Sequence, residues 1–300
     1  MYRPFRFGVV TGSASSHAAW VTMARQAEDL GYATLLVADH LSTGIAPLTA
    51  LAVAAQATTS LRIGSFVFCN DYRHPAVLAK EVATLDLLSE GRFELGLGAG
   101  NWPSDYAQMG IPFDGAGTRV GRLEETIIIL KKLFIEEVVN FTGKYYTITE
   151  MKGLPKPIQR PHPPIYIGSS GKRMLSTAAQ QADIISIMPK GNAQGIDPTD
   201  ATPEAMANKL AWVREAAGER FSHLEFSSAA LHMMITDGRA GAATQPAKLH
   251  GPSMARMAMT VEQAIEHLLE QRERFGVSYV QVLDSQLEAF APVIARLAGK

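Results

Sequence analysis

Cysteine is almost absent: Cys69 is the one thiol in 300 residues. That rules out an internal disulfide framework and fits a reducing, cytoplasmic setting. An excess of charge of either sign is missing too. The 28 lysines and arginines face 29 acids for a formal net charge of -1, and with both signs dispersed neither a nucleic-acid footprint nor a polybasic membrane patch is expected. The longest apolar runs fall far short of a membrane span. The start, MYRPFRFGVV, has arginines but only a short apolar run and no small-residue cleavage site, unlike a secretory leader. A G-x-S-x-G elbow is absent, which argues against a serine hydrolase. His74, His162 and His232 are scattered and the first strand carries no His-x-His, so no metal site is expected. What remains is a globular chain, 47% apolar and 19% charged, long enough for a full core. The expectation is a cytoplasmic protein that handles a small molecule.

Short β-rich apolar runs alternate with amphipathic stretches from end to end. FRFGVV precedes Trp20, Met23, Ala24, Ala27 and Leu30 at helical spacing, with Gly31 beyond. TLLVA precedes the Ala-rich stretch after Pro47, and RIGSFVF precedes a helix opened by Pro75. FELGLG leads through a Gly/Pro-rich loop to Leu123, Ile127, Leu130 and Phe134. PIYIG, DIISIM, LEFSSAALHMMIT and SYVQVLD continue the rhythm, each with a helical pattern behind it. Eight apolar strands, each followed by a helix, predict an α/β protein with a helix-covered parallel sheet. Within 300 residues a single (β/α)8 TIM barrel, one domain over 1–300, fits better than an open Rossmann-type sheet. Insertions are expected after strands four, six and seven, at 136–163 (the aromatic VNFTGKYYTI), 188–203 and 237–259.

In a barrel the strand C-terminal ends carry the chemistry, so residues just past each strand are candidates. Asp39 and His40 follow strand two. They read either as a cap and a rim residue or as a working pair, since a histidine moves protons near neutral pH and a carboxylate can orient it. GLGAG, with Gly98 and Gly100, follows strand four. It reads as tight-turn packing or as backbone open to a flat ring, and it lacks the full dinucleotide fingerprint. IGSSGKRM runs straight into a helix, with Gly168, Ser169, Ser170 and Gly171 ahead of Lys172 and Arg173. Cations are disfavoured at a helix start unless an anion is present, so this is a candidate phosphate site. FVFCNDYRHP gathers Phe66, Val67, Asn70, Asp71, Arg73 and His74 at the end of strand three. It reads also as plain strand core followed by a solvated loop with Pro75 opening the helix. Cys69 reads as buried core.

VADH, RHPAVLAKEVATLDLLSEGRFELGLGAG, RLEETIIILKKLF, PHPPIYIGSSGKRML and EAFAPVIARLAG together resemble the luciferase-like superfamily, and within it the branch that uses the deazaflavin coenzyme F420. The resemblance covers nearly the whole chain. It implies a TIM-barrel homodimer and a flavin-like ring held against a bulge with a non-prolyl cis peptide, here at Phe66-Val67. It further implies that Asp39 contacts the deazaflavin, that His40 faces the substrate, and that Gly168 to Arg173 with Lys190 meet the phosphate side. Gly98, Gly100, Asn70 and Asn101 fall among the implied ring contacts. Sugar-phosphate dehydrogenases of the family carry a glutamate after the strand-four turn, where this chain has Asn101, which cannot transfer a proton. The implied activity is hydride transfer between F420 and a small organic substrate, with His40, oriented by Asp39, giving or taking the proton. An FMN-dependent monooxygenase is the alternative, and a catalytically idle flavin-binding protein the third reading.

Overall fold

The apolar runs become strands because helices cover them, and the helices begin where the sequence supplies proline and caps. Pro47, Pro75 and Pro203 each occupy the first helical turn, where a missing N–H costs nothing. Thr202 accepts from the Ala205 amide, and Thr260 with Gln263 forms a capping box. The computed structural model describes residues 2–41, 44–192, 195–231, 233–236 and 257–300. His232 and most of the insertion expected at 237–259 lie outside the described residues.

In chain order the elements are β1 (Arg6–Thr11), α1 (His17–Asp29), β2 (Thr34–Val37), α2 (Pro47–Ala57), β3 (Arg62–Ser65), β4 (Phe68–Cys69), α3 (Pro75–Leu88) and β5 (Phe93–Gly98). Next come α4 (Pro103–Met109), α5 (Ala116–Ile135), β6 (Val139–Thr142), β7 (Thr147–Met151), β8 (Ile165–Ser169), α6 (Lys172–Gln181) and β9 (Ile184–Ile187). The rest are β10 (Gly191–Asn192), β11 (Gly195–Ile196), α7 (Pro203–Ala217), β12 (Glu225–Ala229), β13 (Met233–Ile235), β14 (Met257–Met259), α8 (Val261–Phe275), β15 (Val277–Leu283) and α9 (Ala291–Leu297). The main sheet runs β3-β2-β1-β15-β12-β9-β8-β5-β4, and β3 also pairs with β5. This is the topology of a parallel (β/α)8 barrel, the fold class the strand-helix rhythm predicts, with β3 and β4 sharing the third position.

The chain partitions into two compact units, residues 1–10, 26–34 and 167–300 in one and 11–25 and 35–166 in the other. In the first, β1 runs parallel to β15 from Arg6 opposite Tyr279 to Val10 opposite Leu283, and β12 lies parallel to both β15 and β9. In the second, β3 and β4 both pair with β5, while α3 and α5 pack together. The predicted stripe of α5, Leu123, Ile127, Leu130 and Phe134, is almost wholly buried. Each such side chain contributes roughly 1.5–3 kcal/mol by leaving water.

Three expectations are corrected. LEFSSAALHMMIT is not one strand: bonds from Ala230 N to Ser228 O and from Met233 N to Ala230 O turn the chain, and β13 pairs with β14 in a separate two-stranded sheet. The Gly/Pro-rich loop after β5 contains α4, which Pro103 opens and Gly110 closes at φ +69°. RIGSFVF is interrupted between Ser65 and Phe68. The aromatic insertion at 136–163 does contain a β-hairpin, with Phe141 opposite Ile148 and Thr142 opposite Thr147. Among the described residues no helix is long and apolar enough to cross a membrane.

Candidate active site

The break in the third strand can be counted from register. Gly64 faces Glu94 and Phe68 faces Leu97, so four steps on one strand match three on the other. One extra residue is a bulge. Within it the Phe66-Val67 peptide is cis, at the bond where the resemblance puts it. The bulge explains two glycines of β5. A Cβ on Gly96 would collide with the Ser65 carbonyl and lie 2.9 Å from Val67 Cγ1, and one on Gly98 would lie 2.8 Å from Val67 Cγ2. Ser65 Oγ donates to Gly96 O at 2.8 Å and accepts from Gly96 N at 3.0 Å, which clamps the two strands. Gly100, at φ +79°, lies where a Cβ would collide with the Tyr106 hydroxyl. Packing against the bulge and Tyr106 therefore accounts for this Gly-rich turn. Phe66 lies against Tyr166 with ring centroids 5.5 Å apart, and Asn101 is exposed.

Asp39 leaves β2 into a buried position and is held from the loop after β4. Arg73 donates to it at two points, Nη1 to Oδ2 at 2.6 Å and Nη2 to Oδ1 at 2.9 Å, while the Cys69 amide donates to Oδ2 at 3.0 Å. Burial disfavours the Arg73 cation, but the bonds to Asp39 and its charge outweigh this and hold the guanidinium above its usual pKa.

The expectation that Asp39 orients His40 is corrected. The partner of His40 is Asp105 on α4, whose Oδ2 lies 3.3 Å from Nδ1. Asp105 is fully buried, and the same oxygen accepts from Tyr72 Oη at 3.2 Å and from the Leu41 amide at 3.4 Å. Trp102, at the start of α4, packs its ring 4.2 Å from the imidazole. The His40 side chain keeps 29% of its surface exposed while its Nδ1 is held on Asp105.

A second polar cluster braces the same unit. Asp71 accepts two bonds from Arg122, at 2.9 and 2.7 Å, one from Tyr106 Oη at 3.0 Å and one from Asn70 Nδ2 at 3.3 Å. Arg122 also reaches Asp114 at 2.7 Å, and its hydrogen bond to Asp71 is the main reason it is held firmly protonated. Cys69 Sγ lies 3.3 Å from Tyr106 Oη; burial pushes both the thiol and the phenol up. Asn70 is buried, and its Oδ1 has no hydrogen-bond partner among the described residues. Sequence reasoning missed Asp105, Tyr106, Trp102, Tyr72 and Arg122. The capping signals of Pro103 and Gly110 could have found the first three.

The basic turn belongs to the other unit. Gly168 and Ser169 end β8, and Ser169 Oγ accepts from the Gly171 amide at 3.2 Å. Gly171 caps α6 without a side-chain bond to the helix, and nothing lies within 4 Å of where its Cβ would be. Ser170 precedes it, and Lys172 and Arg173 are exposed on the first turn, with Lys172 Nζ 5.8 Å from the Trp212 ring centroid. Lys190 is exposed after β9, its amide bonded to Asp200 at 2.6 Å.

A family model described as luciferase-like monooxygenase matches residues 1–277. An F420-dependent hydroxymycolic acid dehydrogenase of Mycobacterium tuberculosis (strain ATCC 25618 / H37Rv) is 32% identical over 171 residues, 54% of this chain and 47% of that protein. The chain spans about half the length of the curated relatives it matches. Among solved structures, an F420-dependent secondary alcohol dehydrogenase with an F420-acetone adduct aligns at TM-score 0.79 and 18% identity over 98% of this chain and 99% of that one. The oxygenating constituent of 3,6-diketocamphane monooxygenase, from the CAM plasmid of Pseudomonas putida and in complex with FMN, aligns at TM-score 0.71 and 18% identity over 99% and 98%. Both share the fold.

Proposed function

Because this chain belongs to the luciferase-like monooxygenase family, we propose that it is an oxidoreductase moving a hydride between coenzyme F420 and a small organic substrate. His40 gives or takes the accompanying proton. The observation that carries this reading is the half-open imidazole held on a buried carboxylate beside Trp102. The curated relative named for F420 supports the choice of coenzyme.

The residues present fit that group. Asn70 Oδ1 is a buried acceptor that lacks a donor among the described residues, and a deazaflavin ring carries an N–H. The ten-residue α6 starts at an uncapped glycine, so its first amides suit an anionic phosphate, with Lys172 alongside. Val67 and Phe66 would back the ring, with Asp39, Gly98, Gly100 and Asn101 as its neighbours. Gly168 to Arg173 and Lys190, taken by themselves in the other unit, are proposed as an anion-holding turn. When bound, F420 supplies the hydride chemistry at its C5. The chain positions the substrate and handles the proton at His40. The two bonds from Arg73 fix the Asp39 carboxyl at the end of β2.

The same α6 start suits the phosphate of FMN, and one structural neighbour is described with FMN, which favours a flavin monooxygenase as the second reading. A homodimer in the cytoplasm belongs to the proposal. Exposed Val77, Leu87 and Leu88 on α3 offer it an apolar surface. The deciding experiment is a parallel titration of the purified protein with F420 and FMN, following cofactor fluorescence. Preferential F420 binding supports the reading. Preference for FMN, with oxygen consumption in the presence of FMNH2, moves it to the monooxygenase, and binding of neither overturns both.

A further inference from the structure

We infer that Asp105 is a positioning residue that fixes the tautomer of His40, so that Nε2 is the atom at which the proton moves. The inference rests on the proposed role of His40 and adds the atom and the group that selects it.

The argument starts from Asp105 Oδ2. The Leu41 amide, which can only donate, at 3.4 Å, and the Tyr72 hydroxyl, which donates to it at 3.2 Å, converge on it in a fully buried place. Donors gathered on one buried oxygen are what an ionised carboxylate requires, since it is acceptor-only. His40 Nδ1, 3.3 Å from the same oxygen, makes an attractive contact only if it carries a hydrogen. In the neutral imidazole the other nitrogen, Nε2, is then bare and able to accept. Trp102 against the ring restrains it from turning over and exchanging the two nitrogens. Asp39, the neighbour in sequence, is engaged with Arg73 and the Cys69 amide and does not compete.

The proton step balances on these atoms. When a substrate hydroxyl is oxidised, its O–H bond breaks and an Nε2–H bond forms. The resulting imidazolium is balanced by the Asp105 charge; the O–H electron pair forms the C=O bond as the neighbouring C–H bond breaks, and the C–H pair leaves as the hydride that the proposed coenzyme would accept. In the reductive direction the Nε2–H bond breaks and the proton is returned. Both directions use the same nitrogen.

The test reads the tautomer directly and needs no coenzyme. Long-range 1H–15N NMR of 15N-histidine-labelled protein, with the His40 signal assigned by His40→Gln, is expected to show Nδ1 protonated and Nε2 bare in the neutral ring. Asp105→Leu removes the acceptor at similar volume, so Nδ1 loses the group that keeps it protonated and the proton should shift to Nε2. Asp105→Asn, whose side-chain oxygen can take the place on which the Leu41 amide converges, and Asp105→Glu should keep the original tautomer. Steady-state turnover of Asp105→Leu should fall about 10²-fold or more with KM for the coenzyme little changed, as expected when a base holds the wrong tautomer. Should the Leu variant fail to fold, the wild-type spectrum still decides: an Nε2-protonated His40 overturns the inference, as does a tautomer that Asp105→Leu leaves unmoved. If the tautomer switches but F420 does not bind, the coenzyme assignment falls and the pair stands. If F420 turns over but the tautomer ignores Asp105, the pair falls and the coenzyme stands.

Discussion

Arg73 grips Asp39 at two points, 2.6 and 2.9 Å, so the end of β2 and the loop after β4 are joined by one nearly buried ion pair. Removing one partner of such a pair strands the other charge away from water, at a cost of about 3–5 kcal/mol. Arg73→Met should therefore lower stability by about 3 kcal/mol in urea unfolding. Adding Asp39→Asn should recover part of it, because no uncompensated charge then remains.

Glu81 on α3 stands close enough to feel both Arg73 and Asp39. Burial is the main cause of its raised pKa; the Arg73 charge opposes this and the Asp39 charge adds to it. One of its carboxylate oxygens is buried with no hydrogen-bond partner among the described residues. A carboxyl whose folded pKa is raised binds its proton more tightly when folded. Its stabilising contribution is complete below the ordinary glutamate range and is lost as pH rises through the folded value. Glu81→Gln should accordingly raise the melting temperature at pH 7–8 and leave it unchanged near pH 4, as scanning calorimetry at the two pH values would record.

The glycines separate into those that cannot change and one that can. Gly96→Ala drives a methyl into the Ser65 carbonyl, which is backbone and cannot swing aside, so a loss of about 2 kcal/mol or more is expected. Gly171→Ala meets nothing within 4 Å at a negative φ, and its stability should stay within about 0.5 kcal/mol of wild type. Equal effects at the two positions would contradict the packing argument.

Cys69 should be nearly inert in the folded protein. Its thiol is buried and pushed above the usual range, so little thiolate exists at pH 7. A chromogenic disulfide reagent should label it slowly in buffer and at once in denaturant. Rapid native labelling would show that the thiol is open to solvent.

The strands and most helices are legible in the chain because burial on both faces demands uninterrupted apolar runs, as in Thr34–Val37, where every residue is buried. α4 was hidden because Pro103 and Gly110 are helix-boundary residues that look like loop punctuation when the helix between them is only seven residues long. Asp39 and His40 could be found by their place after a strand. Their partners could not, because consecutive side chains leaving a strand diverge and each is met by a residue far along the chain, Arg73 and Asp105. The Phe66-Val67 bulge was accessible only through the resemblance, since FVF by composition is ordinary strand.

That bulge also constrains how the chain can vary. Side chains along a strand alternate between two faces, and the bulge absorbs the one surplus residue so that Phe68 and Cys69 stay in register with Leu97 and Gly98. Deleting any one residue between Ser65 and Phe68 would leave three steps against three, a regular pair of strands, and would remove the break from which Val67 reaches Gly96 and Gly98. In this segment residue number is itself a structural quantity, and a substitution is a far smaller change than a gap.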